Sequence, residues 1–351
     1  MKHTLYRHNI SGSYRLQQWH MVALCLALWL LPTHGYAHVW VRGMLQHPEN
    51  DSIQLTYNSN RLAYYPQTFT ARLDKQGNFA LKLPIPTGGV YQLTELKHGN
   101  HVADLMLTDG DSLRLTVDVP HFDSTIRYTG RGSEVQNFVA LHTVQRGRLN
   151  QYTVRLRNHL PETTAQWYVS VAQELKDEES YVQAHGATLP KAFTNIWLAH
   201  YRYYNYFFMQ QYPQMHEMQR LRRFTDTIPA ENYEGIDQMP LAFDDQYLQV
   251  PSYLLYLSGV FETRLRAVGY GLPVTDTQQA RRLLDSADNL AYTTLPPASA
   301  EYYIAQGLYS RARVQRTDRS RQLLARFSRQ WPQSEYLPLL TSQIELAERL
   351  S

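Results

Sequence analysis

Cysteine is almost absent from this 351-residue chain. The single cysteine, Cys25, lies in an apolar run near the N-terminus, and no other cysteine follows it. Without thiols, a protein cannot form a disulfide, attack a substrate as a thiolate or build a thiolate metal site. Thiol chemistry is therefore excluded for everything after residue 25.

Recognisable catalytic motifs are lacking as well. The sequence has no Gly-x-Ser-x-Gly elbow, no His-Glu-x-x-His pair, no phosphate-binding glycine-rich loop and no dinucleotide fingerprint. Adjacent carboxylates such as Glu178-Glu179 and Asp244-Asp245 would point apart on a helix. We expect no enzymatic activity, no catalytic residues and no cofactor. The alternative is an envelope enzyme whose site is dispersed along the chain.

An excess of charge of either sign is missing from most of the chain. Three of the 34 basic residues lie within 1–37, where no acidic residue occurs, which leaves 31 basic against 31 acidic residues. A balanced composition is not typical of proteins that bind nucleic acid or anionic lipid. We therefore predict no nucleic-acid partner.

The N-terminal 1–37 segment has the features of a secretory signal peptide. A basic stretch precedes the apolar run over 21–31, and the small residues Gly35 and Ala37 occupy the positions that a signal peptidase reads. The run is shorter than the ~20 apolar residues of a membrane-spanning helix, although an uncleaved anchor is the alternative. We predict cleavage after Ala37, secretion across the inner membrane and a location in the periplasm or cell envelope.

Residues 38–130 are predicted to form an antiparallel β-sandwich domain. Short segments of alternating apolar residues recur about every ten residues, with turn residues between them. The predicted strands are His38 to Met44, Ser52 to Tyr57, Gln67 to Leu73, Gly77 to Leu83, Gly89 to Glu95, His101 to Leu107, Asp111 to Asp118 and Ser124 to Tyr128.

Residues 131–351 are predicted to form an all-helical domain, which makes the fold class α+β multidomain. Ser133 and Gln136 have the spacing of a capping box at the start of the first long helix. The last three helices, at about 299–314, 318–330 and 334–350, suggest a helical-hairpin or superhelical array. Helix breaks are predicted near Asn158 to Leu160, His185-Gly186, Pro213, Pro229, Pro240, Gly269 to Pro273, Pro296-Pro297, Arg316-Thr317 and Pro332.

An aromatic stretch in this helical region is the main candidate for a partner contact. Trp197, Tyr201, Tyr204 and Phe208 would share one helix face at spacings of i, i+4, i+7 and i+11. One interpretation is a core helix that is central to the bundle. The other is an exposed surface for a partner, because tyrosine and tryptophan are enriched at interfaces.

Other polar groupings are weaker candidates. Asp109 and Asp111, or a second group of residues given below, could bind a metal ion, and a basic cluster could bind an anion. Each of these groups is more typical of solvated surface residues. We predict no metal site. The second group is His98, His101 and Asp104, and the basic cluster is Arg220, Arg222 and Arg223.

Several segments, in this order, resemble the region that precedes the thioredoxin domain in TlpA-type thioredoxin-like disulfide reductases of the bacterial envelope. The resemblance implies a β domain followed by helices and an envelope location, and it transfers no catalytic residue. The segments are Leu73-Asp74, Gly77-Asn78-Phe79, Gly89 to Leu93, Leu105 and Leu107, Gly110 to Leu113, Thr129 to Ser133 with Asn137, and Phe327 to Tyr336.

The resulting functional hypothesis is a non-catalytic secreted module that binds or scaffolds another envelope protein. In the family that it resembles, a thioredoxin domain with a Trp-Cys-x-x-Cys site follows. One alternative is therefore a truncated or split reductase whose thioredoxin domain is absent or on another chain. The sequence leaves the oligomeric state open.

Overall fold

The computed structural model describes residues 38–58, 62, 66–84, 89–95, 101–148, 162–223, 228–236, 239–267, 277–313 and 317–350. The predicted signal peptide and its cleavage after Ala37 lie outside these residues. So do the helix breaks predicted at Asn158 to Leu160 and at Gly269 to Pro273.

The strands lie between residues 38 and 131, as the alternation of apolar residues predicted, except that the strand predicted at Ser124 to Tyr128 was wrong in its first part, because Phe122–Thr125 is helical. In the segment Ser112–Asp118, for example, Leu113, Leu115 and Val117 are buried and the residues between them are exposed, which is the period of a strand with one face on a core. The strands are β1 (His38–Gln46), β2 (Ser52–Asn58), β3 (Pro66–Arg72), β4 (Asn78–Pro84), β5 (Gly89–Glu95), β6 (His101–Leu107), β7 (Ser112–Asp118) and β8 (Arg127–Arg131).

These strands form two four-stranded sheets, with the orders β4-β1-β7-β8 and β3-β2-β5-β6. Residues of both sheets contribute to one hydrophobic cluster, which includes Val41, Leu55, Leu93 and Leu115. All neighbouring strands are antiparallel except β1 and β7, which are parallel. The prediction of a wholly antiparallel arrangement was therefore wrong at this pair. Because β2 to β6 lie between β1 and β7 in the chain, the connection is long enough to bring the second strand back in the same direction.

Helices make up the rest of the described secondary structure, so the protein is a mixed α and β structure. Short 3-10 helices lie at Val119–His121, Ala230–Tyr233 and Asp245–Gln249. The helices are α1 (Phe122–Thr125), α2 (Ser133–Arg146), α3 (Thr164–His185), α4 (Lys191–Leu221), α5 (Pro251–Ala267), α6 (Thr277–Thr294), α7 (Pro297–Arg313), α8 (Thr317–Gln330) and α9 (Leu337–Arg349).

The start of α2 differs from the predicted capping box. The residue before the helix is Gly132, with a φ of 86°, and Ser133 makes no capping hydrogen bond. The Gln136 side chain is instead buried against the sheet: its Oε1 accepts from the Met106 amide at 3.1 Å and its Nε2 donates to the Met106 carbonyl at 2.8 Å. The predicted box was wrong because the Gln136 amide is used by strand β6.

Asn137, the next residue in α2, makes the equivalent pair of bonds to the other sheet. Its Oδ1 accepts from the Tyr128 amide at 2.9 Å and its Nδ2 donates to the Tyr128 carbonyl at 2.8 Å. Met106 lies on β6 and Tyr128 on β8, which are edge strands of the two sheets. Two consecutive carboxamides thus satisfy backbone groups on two sheet edges. We call Gln136 and Asn137 the edge clamp.

Helix α4 is uninterrupted, so the predicted break at Pro213 was wrong. A proline inside a helix leaves the carbonyl four residues earlier without its usual donor. Here that carbonyl belongs to Met209, and the Tyr168 hydroxyl of α3 donates to it at 3.3 Å. A neighbouring helix therefore replaces the hydrogen bond that proline removes. The break predicted at His185-Gly186 is confirmed, since α3 ends there.

Two clusters of buried residues hold the helices, and α4 belongs to both. The first, which we call the junction cluster, contains Val135, Phe138, Val139, Tyr181, Val182, Phe193, Trp197 and Tyr201. The second, the helical cluster, includes Tyr203, Tyr212, Tyr253, Tyr256, Leu308, Phe327 and Leu340. The N-terminal half of α4 thus packs beside α2, and its C-terminal half packs among the later helices.

The last three helices were predicted well. Ala305, Leu308 and Ala312 are buried on one face of α7, and Leu323 and Phe327 are buried on α8. No helix in the described part of the chain has both the length and the apolar character needed to cross a membrane.

Candidate functional site

A small cleft with a mostly apolar lining lies where the sheet β3-β2-β5-β6 meets helices α2 and α4. Its volume is about 10 Å³, which is the space that one water molecule needs. Pockets for metabolites are typically about 300–1,000 Å³, so this cleft suits a single small polar group. Its lining residues are Val90, Asp104, Met106, Val139, Thr143, Trp197 and His200.

His200 is the unusual residue of the cleft. It is only 4% exposed, and neither of its ring nitrogens has a hydrogen-bond partner among the residues that the structure describes. Burial disfavours the imidazolium and lowers the pKa of His200 to about 4. The ring is therefore neutral at pH 7, with one nitrogen able to donate and the other able to accept.

The surroundings of His200 fix its position. Its backbone carbonyl accepts a hydrogen bond from the Ser252 hydroxyl at 2.9 Å. Its ring stacks on that of Tyr204, with centroids 5.9 Å apart and planes inclined by 17°. Both contacts come from buried groups, so they hold the ring at the cleft while leaving its nitrogens available.

Asp104 supplies a second titratable group to the cleft, from strand β6. Burial raises the pKa of its carboxyl, and a hydrogen bond from Gln92 Nε2 at 3.3 Å opposes that rise. A neutral imidazole and a carboxyl of raised pKa thus line the same small space. Together they offer both hydrogen-bond donors and acceptors to a small polar group.

Beside the cleft, the buried Glu178 carboxylate is contacted by two buried side chains and by the partly exposed Arg146. Trp197 Nε1 donates to Glu178 Oε1 at 2.7 Å, while His142 Nε2 and Arg146 Nε lie 3.2 and 3.1 Å from Oε2. Burial alone would raise the pKa of Glu178, but hydrogen bonds from His142 and Trp197, with the charge of Arg146, outweigh it and lower the pKa. The carboxylate therefore stays ionised.

The His142 ring is satisfied on both sides, in contrast to His200. Its Nδ1 lies 3.1 Å from the Gly147 carbonyl and its Nε2 lies against Glu178. Both neighbours are acceptors, so each contact is a hydrogen bond when the facing ring nitrogen carries a hydrogen. The contact with Glu178 ties α2 to α3.

The predicted aromatic face lies inside the protein. Trp197, Tyr201, Tyr204 and Phe208 are 1%, 7%, 8% and 3% exposed. Trp197 packs edge-on against Phe138 of α2, with ring centroids 5.2 Å apart. The core-helix interpretation fits this burial, whereas an exposed contact surface for a partner does not. The reason is that α4 packs between α3 and α5, so aromatic residues on several of its faces are covered.

The remaining candidates serve local structure. The Asp111 carboxylate accepts from the Thr108 amide at 2.8 Å and is 5% exposed, which fixes the turn between β6 and β7. Arg220 pairs with the buried Glu217, and Arg222 caps the end of α4. Among the described residues, no group of three or more histidine, cysteine, aspartate and glutamate side chains could hold a metal ion. His98 lies outside the described residues.

Sequence reasoning missed His200, Gln136 and the role of Glu178. His200 stood within the aromatic stretch, and a polar residue in an apolar helix was the available signal. Glu178 and Glu179 do point apart as predicted, with Glu178 buried and Glu179 exposed. The sequence did not reveal that three side chains from α2 and α4 contact the buried Glu178.

No family model matches the chain, and no curated protein is significantly similar to it in sequence.

Proposed function

We propose that this chain is a non-catalytic binding or scaffold module of the bacterial cell envelope. In this proposal a β-sandwich domain at 38–130 precedes a helical domain at 131–351, as in the front portion of TlpA-type disulfide reductases. The predicted leader would direct it across the inner membrane. The partner would be another envelope protein.

One observation supports the proposal: most of the buried polar side chains at the junction of sheets and helices hydrogen-bond to other groups of the protein, with His200 as the exception. Gln136 and Asn137 pair with sheet edges, and Glu178 pairs with Trp197. Such hydrogen bonds hold the helices in a fixed position on the sheets. The absence of cysteine after residue 25 also sets the chain apart from the redox chemistry of the reductases that it resembles.

Photo-crosslinking in intact cells tests the binding role. Val144 on α2 and Val169 on α3 are 55% and 69% exposed, so a photoreactive residue at either position leaves the core unchanged. We expect one of them to give a discrete adduct that excess untagged protein suppresses. Loss of all saturable adducts at both positions would count against a binding module.

The same adduct separates the proposal from a split reductase. A captured protein with a Trp-Cys-x-x-Cys motif would identify this chain as the recognition half of a redox system. A captured protein without that motif would support a stand-alone module.

The envelope location has its own test. Cell fractionation followed by N-terminal sequencing is expected to recover a periplasmic form that begins at His38. Recovery of the chain in the cytoplasm with residues 1–37 intact would overturn the proposed location.

A further inference from the structure

The outer face of the sheet β4-β1-β7-β8 carries a group of cations that are far apart in sequence. The strand register places Lys82 beside Trp40, Arg42 beside Arg114, and Arg127 beside Thr116. All of these basic side chains are exposed and lie on the side opposite the core. We call them, with Arg131, the basic face.

The basic face has little acidic charge to offset it. The neighbouring residues in the same three rows are Trp40, Met44, Asn78, Ala80, Ser112, Thr116 and Thr129, and none is acidic. In the described part of the chain, Arg42, Lys82 and Arg114 form no ion pair. Arg131 is near the buried Asp111, and Asp118 at the end of the sheet pairs with His47 and His121.

Four of the cations form a diagonal line with one on each strand. From β4 to β8 they are Lys82, Arg42, Arg114 and Arg127, and the register moves by two residues at the first and last steps. With strands about 4.8 Å apart and about 6.8 Å for two residues along a strand, the line is roughly 20 Å long. Such a line matches an extended polymer with repeated negative charges.

Trp40 holds two of these cations in place. The Arg42 guanidinium lies 4.4 Å from the centroid of the Trp40 ring and the Lys82 ammonium lies 5.6 Å from it. Cation–π contacts reduce the freedom of both long side chains before a ligand arrives. Both cations lie against Trp40, the single aromatic residue of this face, so its ring is not free to stack on nucleobases.

We propose that the basic face binds a linear acidic polysaccharide that carries a carboxylate on its sugar units. Guanidinium groups bind carboxylates through paired, charge-assisted hydrogen bonds. The serine, threonine and asparagine residues between the cations can bond to sugar hydroxyls. A lipid bilayer would instead require apolar side chains that insert from this face, and single-stranded nucleic acid would require free aromatic rings.

This inference names a class of ligand for the proposed module. It rests on the proposed function only for the location in which the protein meets the polysaccharide. The test uses the purified chain from residue 38 and polygalacturonate, with a neutral glucan, single-stranded DNA and anionic phospholipid vesicles as competitors. Calorimetry or a gel-shift assay at low salt measures the affinity. We expect saturable binding to polygalacturonate that weakens as salt increases, with the competitors at least about tenfold weaker.

A matched pair of variants assigns the binding to this face. The double variant Arg42→Gln/Arg114→Gln removes two charges from the centre of the line and is expected to weaken binding about tenfold or more. Arg281→Gln/Arg282→Gln removes the same charge from exposed positions on α6 and is expected to bind like the wild type. Unchanged thermal unfolding of both variants shows that the fold is intact.

Three outcomes would overturn the inference. They are no binding to polygalacturonate, equal losses in the two double variants, and tighter binding of DNA or vesicles than of the polysaccharide. None of these outcomes bears on the photo-crosslinking experiment, so this inference and the proposed function can fail separately.

Discussion

Gln136 and Asn137 are neighbours in α2, yet they bond to the backbones of two different sheets. Each carboxamide takes up one N–H and one carbonyl of an edge strand, at Met106 and Tyr128. Unpaired edges of sheets are open to association with other chains. The edge clamp thus closes two edges and anchors the first long helix in the same step.

Removal of one half of the clamp is expected to destabilise the protein. Gln136→Ala leaves the Met106 N–H and carbonyl without their partners, which costs about 1–3 kcal/mol of unfolding free energy. Gln173→Ala is the control, because Gln173 is an exposed glutamine on α3, and its cost should stay below about 0.5 kcal/mol. Urea unfolding of both variants measures the difference. Equal stability would show that water replaces the clamp.

Glu178 and Glu179 offer a matched comparison of a buried and an exposed carboxylate. Glu178→Gln leaves the Arg146 charge and the His142 ring without their buried carboxylate partner and is expected to cost about 3–5 kcal/mol. Glu179→Gln affects only a surface group 3.9 Å from Arg202 and should cost below about 1 kcal/mol.

The cost of Glu178→Gln should also depend on pH. The pKa of Glu178 is lower in the folded protein than in the unfolded chain, so its charge stabilises the fold above the unfolded pKa. That contribution is lost as pH falls through the folded pKa. Denaturant titrations at several acidic pH values should therefore show the wild type approaching the variant. A constant difference would contradict this account.

His200 should make the protein less stable in acid. Its pKa is about 4 in the fold and 6.5 as its ordinary value, so between these pH values the unfolded chain binds a proton that the folded protein does not. The unfolding free energy should fall by about 3 kcal/mol across this window. His200→Gln should flatten this dependence, whereas exposed His185→Gln should keep it. Parallel pH profiles for all three proteins would exclude the burial effect.

Two ion pairs between helices differ mainly in burial. Asp288 and Arg311 form two bonds of 2.8 and 2.9 Å, with side chains 5% and 12% exposed. Asp285 and Arg319 pair at the surface, where they are 45% and 46% exposed. We expect Asp288→Asn to cost about 3–5 kcal/mol and Asp285→Asn below about 1 kcal/mol, as measured by thermal unfolding. Similar costs would show that Arg311 finds another partner or reaches water.

Most strands were predictable because one face packs on the core of the two sheets, which leaves alternation in the sequence. Their partners were not, since the parallel pairing of β1 with β7 depends on how distant segments meet. The break predicted at Pro213 was wrong for a related reason. The hydrogen-bond donor that replaces the one lost to proline is Tyr168, which lies on another helix. Local sequence patterns identify helices and strands. A hydrogen bond that one element supplies to another is visible only in the three-dimensional structure.

The basic face was likewise not predictable from the sequence. The balanced composition of the chain gave no sign of a basic surface, and Lys82, Arg42, Arg114 and Arg127 are isolated from one another in the sequence. Strand pairing brings them together. Similarly, His200 carried no motif, and its importance follows from burial without partners for its ring.

Helix α4 joins the junction cluster and the helical cluster along about 45 Å of uninterrupted backbone. If the residues at one end of α4 lose their packing, the residues at its other end should lose theirs as well. Amide protons on β6 and α7 should consequently exchange with solvent in one slow class, and melting should show one transition. A partner that binds at the sheets should therefore also slow amide exchange in the distant helices.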